Sequence, residues 1–407
     1  MNAESLALDR RTGFGPVPRR WRRLLARLDR LSEGSLAVTF PGGRVLKYVG
    51  CQGGPQGEIA LQQPLRLLRR LAVRGDLGFA ESYMAGEWSS PELGDLLTVL
   101  ALNESTLSQQ ASRSGVVRAL LKLRHALRRN SLRGSRRNIA HHYDLGNDFY
   151  QRWLDPSMTY SAAVFSATDE SLERAQRRKY ERLLDSLDPK PGDHILEIGC
   201  GWGGFAEVAA SWGMRITGIT LSQEQLRYAV ARAEAGGYAD RVAFKLLDYR
   251  ALEGQFDHVV SIEMFEAVGR EYWSDYFKIL ARCLKPGGRA ALQVITIDEA
   301  LFEDYARNPG GFIQTYIFPG GMLPTQAHLH ELACNAGLAP ETHEFFGADY
   351  ARTLNHWRSG FDTAVDWLHA HGYDERFRRM WRYYLAFCEA GFRARQIDVV
   401  RMLIEKP

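Results

Sequence analysis

Residues 195–204 read ILEIGCGWGG: a short β-compatible run enclosing the acid Glu197, followed by glycines at 199, 201, 203 and 204. Glycines crowd a sequence in this way where the backbone must turn sharply from a strand into a helix and present bare N–H groups to a ligand. The stretch predicts a cofactor-binding loop at the end of a first strand.

Two cofactor classes use such a loop. Gly199, Gly201 and Gly204 satisfy the G-x-G-x-x-G spacing of dinucleotide sites. That chemistry also needs an acid about 20 residues on, at the end of the second strand, to hold ribose hydroxyls. Here the second strand, near Met214–Ile219, runs into Thr220-Leu221-Ser222. Glu197 stands two residues before the first glycine, and the resulting order E-x-G-x-G-x-G resembles motif I of S-adenosylmethionine (SAM) methyltransferases.

Outward from the loop, strands are expected at His194–Ile198, Arg215–Ile219, Val242–Leu247, His258–Ile262 and Arg289–Ile295, with helices between them. The alternation predicts an α/β fold with a Rossmann-like SAM-dependent methyltransferase domain. Upstream, short strands at Ser35–Phe40 and Arg44–Tyr48 meet at a Pro41-Gly42-Gly43 turn, and a Leu- and Arg-rich helix follows Pro64. These indicate a smaller α+β amino-terminal domain. The expected division is an accessory domain over 1–110, a basic linker helix over 111–138 and the catalytic domain over 139–407. A chain of 407 residues suits two cores.

Charge is unevenly placed. Between Glu104 and Asp144 stand nine Lys/Arg and no acid, and removing those nine leaves 43 basic against 48 acidic side chains. Val116, Val117, Leu120, Leu121 and Leu127 accompany them at helical spacing. Such a segment can lie on an anionic membrane surface or serve as a solvated linker helix. No aromatic residue occurs from Ala111 to His142, which argues against nucleic acid. No stretch reaches the roughly 20 apolar residues of a membrane span. Five cysteines form no C-x-x-C pair, which fits reduced thiols in the cytoplasm, and no metal site is expected.

The motifs HHYDLGNDFYQRWLDPSMTYSAAVF (141–165), ILEIGCGWGG, GITLSQEQ (218–225), SIEMFEAVG (261–269), LKPGG (284–288), FIQTYIFPGGMLP (312–324) and RYYLAFCEAGFRARQID (382–398) stand in the order and spacing of the cyclopropane fatty acid synthase family, which the chain resembles over roughly residues 76–407. The resemblance implies methylene transfer from SAM to the double bond of unsaturated acyl chains of membrane phospholipids, giving cyclopropane fatty acids. It places the enzyme in the cytoplasm, peripherally on the inner membrane face, and leaves a homodimer open.

Site residues follow from the same motifs. Gly199, Gly201 and Trp202 line the methionine portion of SAM. Glu197 either favours the positive charge or caps the loop's own amides. Thr220, Leu221 and Gln225 face the ribose, while Asp248 and Tyr249 suit adenine. Tyr160 and Ser161 close over the cofactor, with Tyr143 and Ile262 completing its contacts. Phe165, Phe265, Phe312, Tyr316, Ile317, Phe318 and Met322 are candidates for an acyl tunnel, though each singly suits a core as well.

An alkene attacked by a methyl cation equivalent becomes a carbocation, so a proton acceptor is required. In the resembling family it is a bound bicarbonate, whose holders correspond here to Glu266, Tyr384, Ile295, Ala162 and Gln293. Two of these depart: Ala162 stands where the family has Cys, and Gln293 where it has His. Glutamine can hydrogen-bond an anion but cannot pass a proton near neutral pH. Ala267 likewise replaces the His that usually follows the Glu. A related acyl-chain methyltransferase giving a methyl-branched or methylene product is the alternative.

Overall fold

The computed structural model describes residues 11–12, 21–107, 145–308 and 310–407. The basic segment and Tyr143 lie outside the described residues. Near the amino terminus, β1 (Arg11–Thr12), β2 (Glu33–Thr39), β3 (Val45–Val49), β4 (Gln52–Leu61) and β5 (Trp88–Ser89) form a sheet in the order β1-β3-β2-β4-β5. The Pro41-Gly42-Gly43 turn closes the antiparallel β2–β3 pair, and alternate residues of both strands are buried. Strand β4 runs parallel to β2 and escaped the sequence reading, because its QGGPQ opening carries the residues that normally break strands.

The chain forms two compact units. The first unit joins the described residues up to Leu107 to residues 310–312 and 365–396. The helix Glu375–Arg393 thus belongs with the helices Pro64–Met84 and Leu93–Leu102, although the sequence reading had placed it in the catalytic region. Gly94 allows a close approach at that contact: a Cβ there would stand 2.9 Å from the Glu389 carboxylate, which would have to shift.

The second unit holds β6 (His194–Ile198), β7 (Arg215–Thr220), β8 (Val242–Leu246), β9 (Phe256–Ile262), β10 (Leu284–Ile297), β11 (Ala339–Phe345) and β12 (Ile397–Glu405) in the order β11-β12-β10-β9-β6-β7-β8. Strands β10, β9, β6, β7 and β8 are mutually parallel, and β12 is antiparallel to both β10 and β11. Successive residues face opposite layers: Leu196, Val259 and Leu292 join one apolar cluster, Ile195, Val260 and Ala291 the other. Chain order reverses between β6 and β9, so a crevice opens beyond their carboxyl ends, where open α/β sheets bind ligands.

Candidate active site

The glycine loop leaves β6 at that switch point. Gly199, Gly201 and Gly203 have φ of 88°, 51° and 84°, a left-handed region that favours glycine, and the helix Gly204–Ser211 begins at once. The amides of Gly199 and Cys200 both donate to the Ile219 carbonyl, at 3.0 and 2.9 Å, so these two do not need Glu197 as a cap. Glu197 is buried, and its Oε2 has no hydrogen-bond partner among the described residues. Burial pushes its carboxyl well above the usual range, and Lys179 pulls the other way. A Cβ on Gly201 would meet nothing within 4 Å. An uncommitted buried acid next to an open glycine cradle fits the cationic methionine end of SAM.

At the end of β7 the Thr220 hydroxyl donates to Gln225 Oε1 at 2.8 Å, and Leu221 follows before the helix capped by Ser222. The Trp202 indole N–H donates to Asn147 Oδ1 at 2.7 Å. Tyr160 lies among Tyr150, Trp153 and Trp357, with ring centroids 5.1 to 5.5 Å away. Ser161 is held twice by one helix: its Oγ accepts from Lys179 Nζ at 2.6 Å and its carbonyl from Gln176 Nε2 at 2.9 Å. Burial draws the Lys179 ammonium down to about 7, against the charges of Glu263, Asp155 and Glu197. Lys179 had no distinguishing mark in RRKYER; only the helix phase that also buries Ala175, Leu183 and Leu187 turns it inward.

The two adenine candidates stand directly after β8. Asp248 is engaged by the Arg250 guanidinium through two hydrogen bonds of 2.8 and 2.7 Å. Tyr249 packs edge-on against Tyr276 at 5.4 Å inside an apolar cluster, because the short helical turn after β8 points the ring into the core. Among the tunnel candidates, Phe265 is core, packed against Trp273, Tyr276 and Phe277. Phe312 belongs to the first unit, against Tyr383. The segment Ile313–Ile317 is a π-helical turn, a rare form concentrated at functional sites. The Met322 amide beyond it donates to the Glu266 carbonyl at 2.9 Å.

A cluster of acids sits where β9 and β10 end. Ile262 pairs with Gln293 across the two strands. Glu266 Oε1 accepts from the Ile295 amide at 2.5 Å, and Oε2 is buried with no partner among the described residues. Burial, then the neighbouring Glu263, pushes Glu266 up to about 8. Glu263, which the sequence reading passed over, is the centre of the group. Its Oε1 accepts from the Ala162 amide at 2.8 Å and from Gln293 Nε2 at 2.7 Å, and its Oε2 accepts from the Tyr350 hydroxyl at 2.6 Å. Burial raises the Glu263 carboxyl, opposed by Tyr350, Ala162, Lys179 and Gln293. Its φ is 49°, a conformation costing a residue with a Cβ about 1–2 kcal/mol. The phenol hydrogen-bonded to Glu263 is Tyr350's; the Tyr384 ring packs on Trp381. The one available signal for Glu263 was an acid in an apolar strand end, SIEMF.

Residues 130–402 match the family described as mycolic acid cyclopropane synthetase. The chain is 44% identical over 349 residues to the tuberculostearic acid methyltransferase of Mycobacterium tuberculosis, covering 83% of this chain and 81% of that protein. It is 35% identical over 361 residues to the cyclopropane-fatty-acyl-phospholipid synthase of Escherichia coli K12, covering 88% and 90%. A mycolic acid cyclopropane synthase solved with SAH and CTAB superposes with a TM-score of 0.62 at 30% identity, covering 67% of this chain and 98% of that one.

Proposed function

This chain belongs to the mycolic acid cyclopropane synthetase family as a SAM-dependent methyltransferase, and from that premise we propose that it methylates the double bond of unsaturated acyl chains in membrane phospholipids. The observation that carries this reading is the pair of half-buried acids with raised carboxyl pKa values, Glu263 and Glu266, beside the cofactor loop. Methylation of nitrogen or oxygen nucleophiles needs no carbon-bound proton removed, whereas methylation of an alkene leaves a cation that must lose one. Two acids whose ionisation is disfavoured at the switch point suit that demand.

The residues divide the work. Glu197 and the glycine loop hold the cationic end of SAM, which supplies the methyl group. The aromatic cage around Tyr160 keeps water from the reacting carbons. The paired acids hold and take up the proton.

Ring closure to cyclopropane is the outcome carried by the family name. A second reading is a methylene or methyl-branched product. It is favoured by Gln293 being hydrogen-bonded to Glu263 in place of a titratable partner, and by the 44% identity to a methyltransferase named for tuberculostearic acid. A methylene chain requires no reductant, whereas a methyl branch requires two further electrons. Access to the bilayer falls to the basic segment 113–137, acting peripherally on the cytoplasmic face; no described helix is long and apolar enough to cross a membrane.

The test is incubation of the purified protein with methyl-labelled SAM and vesicles of dioleoyl phospholipid, followed by proton NMR of the extracted chains. Upfield ring protons report cyclopropane, vinylidene protons report methylene, and a new methyl doublet reports a branch. Absence of label in lipid, with SAM binding intact, refutes the reading.

A further inference from the structure

The anion position implied by the family resemblance is already filled by this chain. Its expected holders include Ala162, Gln293, Ile295 and Glu266. The Ala162 amide and Gln293 Nε2 converge on one oxygen of Glu263, the Tyr350 hydroxyl donates to the other, and the Ile295 amide is taken by Glu266. A carboxylate presents the same two-oxygen face as bicarbonate. With these donors committed, bicarbonate does not fit between them. The left-handed backbone of Glu263, anchored by its own amide donating to the Gln293 carbonyl at 2.8 Å, turns the side chain into the cluster.

The position is also next to the cofactor. Met264, the next residue, packs so closely on the glycine loop that a Cβ on Gly199 would stand 3.0 Å from its Cγ. We propose that Glu263 is the proton acceptor of the reaction, a catalytic carboxylate built into the chain in place of a bound bicarbonate. The inference rests on alkene methylation as the reaction.

The step balances within the site. The alkene π pair forms the bond to the methyl carbon, and the carbon–sulfur pair leaves with sulfur, so the positive charge passes to the neighbouring chain carbon. A Glu263 oxygen then takes a proton from the added methyl. The released C–H pair closes the three-membered ring, or forms a methylene double bond once a hydride shift has moved the cation to the substituted carbon. Neutral Glu263 afterwards returns the proton to solvent. The charged groups facing it are Glu266, Lys179 and, through Lys179, Asp155 and Glu197.

The experiment measures label transfer from SAM to dioleoyl phosphatidylglycerol vesicles in buffer purged of carbon dioxide, with and without added bicarbonate or formate. Wild type is expected to turn over equally in all three conditions. Glu263→Gln, which keeps the size and two hydrogen-bonding ends, should lower kcat by about a hundredfold or more, with KM for SAM within twofold. Glu263→Gly relieves the left-handed backbone and vacates the anion position, so its slow turnover should rise with bicarbonate or formate; a purely structural role for Glu263 gives no such rescue. A wild type that slows when bicarbonate is removed, or Glu263→Gln with an undiminished kcat, overturns the proposal while leaving alkene methylation standing. A wild type that labels no lipid overturns both.

Discussion

Gly201→Ala separates the ligand's space from the protein's. Gly201 has φ of 51°, and a Cβ placed there meets no protein atom within 4 Å. The free protein should therefore lose only the backbone term, about 1–2 kcal/mol for a non-glycine residue in the left-handed region. If the open space is where the methionine end of SAM lies, the added methyl intrudes on the ligand. SAM affinity then falls at least about tenfold beyond any effect on folding, equivalent to about 1.4 kcal/mol. Gly201→Val should abolish measurable binding. Gly203→Ala is the control, because its Cβ would meet protein, 3.2 Å from Ala229 Cβ and 3.3 Å from Phe244 Cζ. That variant should lose more stability, with less effect on SAM affinity once folded. Denaturant unfolding of the free proteins and calorimetric titration with SAM supply the two readouts. Wild-type SAM affinity in folded Gly201→Ala would refute the placement of the cofactor at this loop.

Glu266 is protonated more readily folded than unfolded, its carboxyl moving from 4.5 to about 8. Its contribution to stability is thus fully present below about pH 4.5 and lost as pH rises towards 8, with a slope of about 1.4 kcal/mol per pH unit. Glu266→Gln keeps an acceptor for the Ile295 amide and removes that slope. Urea unfolding from pH 5 to 8 should show wild type losing ground steadily against the variant, and parallel curves would refute the raised carboxyl. The same variant should cut turnover without weakening SAM binding, as read by labelled-methyl transfer and calorimetry. Neutralising Arg124, Arg128 and Arg129 should weaken binding to anionic vesicles by at most about 3 kcal/mol, less at high salt, and turnover on detergent-dispersed lipid much less. Equal vesicle binding across salt concentrations would return this segment to a solvated linker.

Much of the local structure, β4 excepted, was legible in the sequence. The strand-to-helix turn at ILEIGCGWGG, the parallel strands on either side of it and the hairpin at Pro41-Gly42-Gly43 all appear where backbone requirements over a few residues dictate. The absence of an acid after Thr220 excluded the dinucleotide alternative for the same reason: the requirement sits at one defined place along the chain. Family motifs added Glu266, Gln293, Ala162 and Ile295, which the fold does bring to one cluster.

Partnership across long separations was beyond the sequence. Glu263 meets Ala162 from 101 residues away and Tyr350 from 87, and neither contact has a local signature. Nothing in RRKYER marked Lys179 as the buried member of a charged run. The packing of the Tyr249 ring against Tyr276 likewise has no local signature. Backbone conformation and strand order are written in short-range sterics and hydrophobic period. The identity of the group that fills a buried polar site is settled only when distant elements pack and each donor there must find an acceptor.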